Sequence, residues 1–263
     1  MSDLFRIKTH QGYIFKLLVE LLQHNIKDGC FCIGQTGIYF RMSDTHHKIC
    51  IDLSLLRENF SSYILNSAKD INIGVNLIHL FKMIKSTKKG DSIELFKETD
   101  VSDDLNIVHI SKDGKTTRTS IRVQTIQMLD ISLSSDYAAH NSIPAQDYTK
   151  LCKDLENLSK VIIIKGTDKG LCFSAKLDHV YSKSVFFGSY DDSCEIYNQT
   201  FDTEQLTNIK RLSGLGIEKT YISFYYSNDQ PLLITTNIGT LGTINVYIKS
   251  RELVEMENGI TGQ

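Results

Sequence analysis

Four stretches of the chain repeat apolar residues at the spacing of an amphipathic helix. The first, about residues 11–24, places them at i, i+3, i+4, i+7 and i+8 between Ile14 and Leu22. Side chains at this spacing lie on one face of a helix, which can then pack against a core. The same pattern predicts three further helices, at about 76–86, 145–157 and 203–213.

Shorter runs between these helices have the composition and the turn boundaries of strands. In the first half of the chain they are 3–9, 29–33, 37–42, 48–53, 61–65, 71–75, 92–97, 105–111 and 119–128. In the second half they are 161–165, 170–176, 179–188, 194–200, 220–227, 231–237 and 243–249. Two helices and many short strands in each half predict an α+β fold, in which antiparallel sheets carry their helices on one face.

The second half of the chain repeats the pattern of the first. A forward shift of 133 positions places residues 15–40 on residues 148–173 without a gap, so that Gly37 falls on Gly170. Few residues are identical, but the order of helix, strand, glycine turn and strand is kept. Such a repeat predicts two similar domains in tandem, and it favours a symmetric, non-enzymatic assembly.

A connector rich in Ser, Asp and Ala separates the two repeats. We place the N-terminal domain at 1–128, the connector at 129–142 and the C-terminal domain at 143–263. The length of 263 residues agrees with this division, since domains commonly hold about 100–200 residues. The tail, about 251–263, is polar and contains two glycines, so it is predicted to be loose.

Composition limits the class of protein. The hydrophobic fraction of 41% is enough for packed cores, but no apolar run reaches the roughly 18 residues that span a bilayer. The N-terminus lacks the apolar stretch of a signal peptide, so we expect an intracellular protein with no membrane partner. The six cysteines have no framework spacing and are expected to be free thiols. His46 and His47 are adjacent and would point to opposite faces of a strand, so we expect no metal site.

Positive charge is concentrated on the predicted helices, although 29 basic and 31 acidic residues give a formal net charge of −2. Lysines on solvated helix faces are common, and that interpretation stays open for each helix. If the four faces look the same way, they form a basic surface that contacts phosphates without reading bases. The residues concerned are Lys16, Lys82, Lys85, Lys150, Lys153, Lys210 and Arg211.

The sequence contains no constellation that would support catalysis. It has no glycine-rich dinucleotide fingerprint, no phosphate-binding loop with its lysine, and no nucleophile elbow. Its paired carboxylates, at 103–104 and 191–192, lie in turn-like segments. We therefore expect a protein that is not an enzyme, with no catalytic residue and no cofactor.

Two segments resemble the proliferating cell nuclear antigen family, the eukaryotic sliding clamp. They are residues 72–86 (NIGVNLIHLFKMIKS) and residues 143–175, which look like the second helix region and the start of the second domain of that family. The QG at 11–12, the D-x-x-H from Asp44 to His47, the DQPL at 229–232 and Tyr247 follow in the same order. The resemblance covers about residues 4–250, nearly the whole chain.

The resemblance implies two tandem DNA-clamp domains in each subunit and three subunits in a pseudo-sixfold ring. Two helices per domain would line the hole around double-stranded DNA, with the antiparallel sheets outside. It implies a processivity factor that supports DNA replication and repair and catalyses no reaction itself. The implied partners are DNA polymerase, clamp loader, flap endonuclease and ligase, each bound through a short peptide that carries a glutamine and spaced hydrophobic and aromatic residues. The implied location is the nucleus, or the viral replication compartment of an infected cell.

The resemblance also implies three sets of site residues. The seven basic residues above would face DNA. A partner-peptide pocket would be framed by Asp44, His47, Leu133, Pro231 and Tyr247, although Pro231 and Tyr247 would alternatively only cap the sheet of domain two. Strands 119–128 and 179–188 of neighbouring subunits would pair through Ile121, Val123, Val185 and Phe187.

The chain departs from the family in several places. Its connector is shorter, Lys48 stands beside the pocket histidine, and Ser250 follows the C-terminal tyrosine in place of proline. The acidic tail is weak and the net charge is small, which suits a divergent protist or viral member. Two alternatives stay open, a subunit of a heterotrimeric checkpoint-type clamp and a monomeric adaptor that does not encircle DNA. The lack of a catalytic constellation disfavours a DNA-acting enzyme.

Overall fold

A computed structural model describes residues 3–133, 135–177, 180–217 and 219–261 of the chain. Three of its helices match the predicted helical stretches closely, namely α1 (Gly12–Asn25), α2 (Leu77–Ile84) and α3 (Ala145–Glu156). The others are α4 (Thr203–Asn208), α5 (Leu212–Leu215) and α6 (Arg251–Thr261).

Strands make up most of the remaining regular structure. Those of the first half are β1 (Phe5–Thr9), β2 (Asp28–Ile33), β3 (Gly37–Ser43), β4 (Ile49–Leu56), β5 (Ser62–Leu65), β6 (Ile71–Asn76), β7 (Ser92–Lys97), β8 (Asp104–Ile110) and β9 (Thr116–Arg122). Those of the second half are β10 (Ala139–Pro144), β11 (Val161–Gly166), β12 (Gly170–Leu177), β13 (Tyr181–Gly188), β14 (Tyr197–Asp202), β15 (Tyr221–Tyr226), β16 (Leu232–Ile238) and β17 (Gly242–Ile248).

The chain divides into two compact units. The first consists of Met1–Asp44, Ile51–Asp130 and Asn237–Ile244, and the second of Thr45–Cys50, Ile131–Thr236 and Asn245–Gln263. The division falls within β4, β16 and β17, so each unit contains a short piece from the other half of the sequence. The bounds predicted from the sequence, 1–128, 129–142 and 143–263, stay a prediction.

The first unit contains the antiparallel sheet β5-β1-β7-β8-β9 and the strands β4-β3-β2-β6. Helix α1 forms because most of its apolar stripe, including Phe15, Leu18 and Leu22, is buried in the core. Helix α2 packs against α1. Its start is fixed by Asn76, whose side chain accepts a hydrogen bond from the N–H of His79 over 3.0 Å.

The second unit contains the sheet β13-β12-β11-β14 and the strands β10-β15-β16-β17. Helix α3 packs on α4, α5, β10 and β15. The core between them is aromatic, with the rings of Phe173 and Phe224 meeting edge to face at 5.7 Å. Helix α4 begins with a capping box formed by Asp202 and Gln205.

The two units repeat one topology, which confirms the tandem repeat and the α+β fold predicted from the sequence. In the first unit β2 pairs with β3 and β6, and in the second β11 pairs with β12 and β14. Likewise β1 pairs with β7, and β10 with β15. The bounds of β2 and β11, Asp28–Ile33 and Val161–Gly166, are related by the 133-residue shift read from the sequence.

Two predictions about helices were wrong. The fourth predicted helix, 203–213, is broken into α4 and α5, because a turn with Lys210 N–H donating to the Thr207 carbonyl interrupts it. The tail is not loose over 251–261 but forms α6. Ser250 starts this helix, since its hydroxyl accepts from the N–H of Leu253 over 3.1 Å.

Strand boundaries also differ from the prediction. Residues 139–143, placed in or beside the connector, belong to β10, because they pair with β15 along its whole length. The predicted strand 119–128 ends at Arg122. In the predicted strand 179–188, residue 179 lies outside the described residues. No helix in the described part of the chain is both long and apolar enough to cross a membrane.

Candidate DNA-facing helices, subunit edges and partner pocket

The basic residues of the first unit lie opposite the buried faces of its helices. Lys16 is half-buried on α1, with its Nζ 4.8 Å from the centroid of the Tyr13 ring. Lys82 is exposed on α2 and Lys85 is exposed directly after its last residue, while the other side of α2 buries Leu80. Among the residues that the structure describes, neither Lys82 nor Lys85 forms an ion pair, so their charge is available to an anion in solution.

The basic residues of the second unit are partly neutralised. Lys150 pairs with Asp147 at 3.2 Å, and Lys210 pairs with Glu156 at 3.3 Å. Lys153 is exposed at the end of α3 and has no ion pair within the described ranges. Two of the predicted residues, at 210 and 211, lie in the turn between α4 and α5 and not on one continuous helix. The unpaired positive charge of the predicted set is therefore greater on the helices of the first unit.

Strand β9 forms an open edge of the first unit. It is the last strand of its sheet and pairs only with β8 in the described structure. The N–H of Val123 donates to the carbonyl of Asp103 over 2.6 Å, and bonded and non-bonded pairs alternate along an antiparallel ladder. The backbone groups of Arg118, Ser120 and Arg122 therefore point away from β8, towards the open edge.

Strand β13 forms a matching edge of the second unit. It is the last strand of its sheet and pairs with β12. The N–H of Ser189 donates to the carbonyl of Lys169 over 3.0 Å. By the same alternation, the backbone groups of Ser182, Ser184 and Phe186 point away from β12.

Strand β14, at the other end of that sheet, has an edge closed by side chains. Its backbone N–H groups at Asn198, Thr200 and Asp202 each donate to a side-chain oxygen. The acceptors are Asn228 Oδ1 at 3.3 Å, the Glu252 carboxylate at 2.9 and 3.1 Å, and Gln205 Oε1 at 2.9 Å, respectively. An edge whose donors are already satisfied is a poor template for another strand, so β9 and β13 are better suited than β14 to pair with a second chain.

The side chains predicted for the subunit seam lie on or beside these edges. Ile121 is only 7% exposed and belongs to the core of its own unit. Val123 lies just after β9, and Val185 and Phe187 are half-buried on β13. Phe186, which the prediction omitted, is 56% exposed. Successive side chains of a strand point to opposite faces, so this alternation was the signal that would have identified Phe186 as lying on the face opposite to Val185 and Phe187.

The residues predicted for the partner pocket occupy different elements. Within the second unit, His47 is exposed in the turn after β3, and Leu133 is half-buried in irregular structure. Pro231 directly precedes β16, and Tyr247, in β17, is 8% exposed. Asp44 belongs to the first unit and follows β3. Their association in one pocket stays a prediction.

Tyr137 is a further residue near this group that the sequence reasoning missed. Burial raises its pKa, and the nearby Tyr247 adds to that rise. Its ring centroid lies 6.1 Å from that of Tyr225. A large aromatic residue in a connector rich in Ser, Asp and Ala was the available signal.

Lys48 is engaged inside the second unit. Its Nζ lies 3.2 Å from Asp202 Oδ2, while Arg251 donates to Asp202 Oδ1 over 2.8 Å through Nε. Burial alone would raise the pKa of Asp202, but these two cations together lower it. The Lys48 ammonium group is therefore already paired within its own unit.

Asp91 ties two lysine-bearing turns together in the first unit. Its Oδ2 accepts from the N–H of Lys88 over 2.8 Å and lies 2.8 Å from Nε2 of His109. Its Oδ1 accepts from the N–H of Lys112 over 3.0 Å. The Lys88 hydrogen bond lowers the pKa of Asp91 most, and with His109 and Lys112 it outweighs burial and brings the pKa to about 2.

Asp91→Asn should destabilise the first unit at neutral pH by about 1–3 kcal/mol, because a charged acceptor of three hydrogen bonds is lost. The folded pKa of Asp91 lies below its ordinary value of 3.8. Its stabilisation is therefore present above about pH 4 and is lost as the pH falls towards 2. Denaturant unfolding of wild type and variant across this range should show the difference shrinking, whereas Asp113→Asn, an exposed neighbour, should show little difference at any pH.

Comparisons with known proteins agree with the fold of two repeated units described above. Residues 4–137 match the family described as "Proliferating cell nuclear antigen, N-terminal domain", and residues 131–251 match its C-terminal domain. A protein named "Probable DNA polymerase sliding clamp 1", from Paramecium bursaria Chlorella virus 1, is 23% identical over 257 residues, which cover 93% of this chain and 96% of the relative. The proliferating cell nuclear antigen of Chaetomium thermophilum is 24% identical over 258 residues, 92% of this chain and 95% of the relative.

A solved structure shows the same fold. The crystal structure of the proliferating cellular nuclear antigen from Entamoeba histolytica superposes with a TM-score of 0.82, covering 95% of this chain and all of that one, at 18% identity. The chain therefore belongs to the proliferating cell nuclear antigen family. Members of this family are non-enzymatic DNA sliding clamps, which confirms the function predicted from the sequence; the checkpoint-clamp and adaptor alternatives are not favoured.

Proposed function

We propose that three copies of this chain close into a ring around double-stranded DNA, with β9 of one copy pairing with β13 of the next. The observation that carries this proposal is that β9 in the first unit and β13 in the second each end a sheet with backbone groups that point outward. Because the edges belong to different units, their pairing is head to tail, and such a contact generates a ring when the rotation closes. Pairing also satisfies the outward backbone groups that each edge leaves exposed.

The ring presents its helices to DNA. Lys16, Lys82, Lys85, Lys150, Lys153, Lys210 and Arg211 supply the positive charge that meets the phosphates. Lysine side chains are flexible point charges, and in this arrangement they contact phosphates without distinguishing one base from another. The contact is weak and independent of sequence, which lets the ring slide while it stays topologically attached.

The ring also binds partner proteins. The ring holds DNA polymerase, clamp loader, flap endonuclease and ligase through short peptides that enter a pocket framed by Asp44, His47, Leu133, Pro231 and Tyr247. An apolar anchor entering such a groove supplies most of the affinity. The place of action is the nucleus, or the viral replication compartment of an infected cell.

The DNA-facing assignment is tested by the double reversal Lys82→Glu with Lys153→Glu, which changes one unpaired lysine in each unit. Affinity for a short duplex should fall, and the slope of log affinity against log salt should become shallower by about two, since each phosphate contact contributes about one. The measurement is fluorescence anisotropy of labelled duplex DNA at several salt concentrations.

A matched control is Lys69→Glu with Lys176→Glu, which makes the same change in net charge at exposed lysines outside the proposed set. This control should retain most of the salt slope of the wild type. Equal losses in both variants would show that general charge, and not the helix face, determines binding. All variants should keep the unfolding midpoint of the wild type, because surface changes usually alter stability by less than about 0.5 kcal/mol.

A further inference from the structure

A polar cleft of about 400 Å³ lies in the first unit, between the turn that follows α2 and the hairpin that joins β8 to β9. Its lining contains no apolar residue. Four lysines surround it, Lys88 and Lys89 from the turn, and Lys112 and Lys115 from the hairpin.

Acidic partners of the cleft lysines are absent from the part of the chain that the structure describes. Within the ranges that the structure describes, none of the four forms an ion pair, whereas lysines elsewhere do, such as Lys165 with Glu195 at 2.7 Å. Two carboxylates line the cleft, Asp91 and Asp113, but the first is occupied by two backbone N–H groups and a histidine. The cleft therefore holds an excess of uncompensated positive charge.

The two lysine-bearing turns are held in fixed relation by the molecule itself. The carboxylate of Asp91 accepts from the backbone of Lys88 and of Lys112, one residue in each turn. Gly90 has a φ of 92° and lies so close to the side chain of Lys112 that an added Cβ would be 3.4 Å from its Cδ. Positions fixed before binding reduce the ordering that a ligand would otherwise have to impose.

We propose that this cleft binds a compact phosphate-bearing polyanion, held by the four lysines and the hydroxyl groups between them. Lysine is a common phosphate ligand, and Ser86, Ser111 and Thr117 add hydroxyl donors to the lining. A peptide partner fits poorly, because its affinity would need an apolar anchor and the cleft offers none. A metal ion fits poorly because four ammonium groups repel it.

The same phosphate chemistry has two sources, a free polyphosphate and the backbone of DNA. Sodium tripolyphosphate, titrated by calorimetry into the full-length protein without DNA, is the probe that isolates the cleft. Binding should be saturable and should weaken as salt rises. This test does not require ring closure, so its outcome is independent of whether the chain encircles DNA.

The test variant is Lys112→Glu with Lys115→Glu, and the matched control is Lys69→Glu with Lys176→Glu. The first should weaken tripolyphosphate binding by more than about tenfold, and the control by less than about twofold, because charge effects fall off with distance and salt. The neutral variant Lys112→Gln with Lys115→Gln should fall between wild type and the charge reversal. Both test variants lie in an exposed hairpin and should unfold at the wild-type midpoint.

Competition then separates the two sources. Displacement of tripolyphosphate by a short duplex identifies the DNA backbone as the ligand, and retention in the presence of duplex identifies a free polyphosphate. Absence of saturable binding, or equal weakening in the test and control variants, would overturn the inference.

Discussion

Ser120→Pro is expected to convert the assembled ring into folded monomers. The backbone N–H of Ser120 points out of the β9 edge, so proline removes a donor to the neighbouring copy and places its ring where the partner strand would lie. No hydrogen bond of the chain's own sheet is lost, because the alternate residues hold the ladder to β8. Sedimentation should give three times 29.8 kDa for wild type and a single chain for the variant.

Two substitutions give this experiment its controls. Ser120→Ala keeps the N–H and should stay trimeric. Ile121→Pro removes a backbone donor that points towards β8 and disturbs a side chain that is only 7% exposed. It should therefore lower the unfolding midpoint as well as the mass found by sedimentation. Ser182→Pro repeats the test on β13. If Ser120→Pro still sediments as three chains, β9 is not the seam.

Leu133→Asp is expected to remove most binding of a partner peptide that carries a glutamine and two aromatic anchors. Loss of one large apolar contact is worth roughly 1.5–3 kcal/mol, which is about a tenfold to hundredfold change in affinity. Leu133 is half-buried, so the charged variant should still fold. Titration of a labelled peptide monitored by anisotropy gives the two dissociation constants.

Leu56→Asp is the matched control, since Leu56 is 39% exposed and belongs to the first unit. It should bind the peptide as wild type does. Tyr247→Ala is a poor probe, because Tyr247 is 8% exposed and its truncation would leave a cavity in the sheet. Tyr247→Phe keeps the ring and tests the hydroxyl alone. Equal binding by wild type and Leu133→Asp would place the pocket elsewhere.

The repeated order of helices and strands could be predicted from the sequence because local patterns encode it. Apolar spacing marked α1, α2 and α3, and the glycine turn at 37 recurred at 170. These signals depend on residues a few positions apart, and they survive when few identities remain. They were sufficient for the α+β class and the tandem domains, whereas the family was predicted from the resemblance of residues 72–86 and 143–175.

Local pattern failed where distant residues decide the conformation. Helix α6 was predicted as a loose tail, yet Glu252 accepts from the backbone of Thr200, 52 residues away. Residues 139–142 were read as irregular connector, yet they belong to β10, which pairs with β15. A segment of polar or small residues forms a helix or strand when a neighbouring strand or side chain provides hydrogen-bond partners for its backbone. Residues close by in the sequence do not indicate which neighbour that is.

The sequence by itself determined most of the elements and their duplication, because these follow from side-chain spacing along the chain, and its resemblance to a known family indicated the class of protein. Only the tertiary structure decided which strands end as open edges, which lysines are already paired, and that Asp91 joins two turns. Those properties belong to pairs of groups far apart in the sequence. They exist only once burial and hydrogen bonding have brought the partners within a few ångströms of each other.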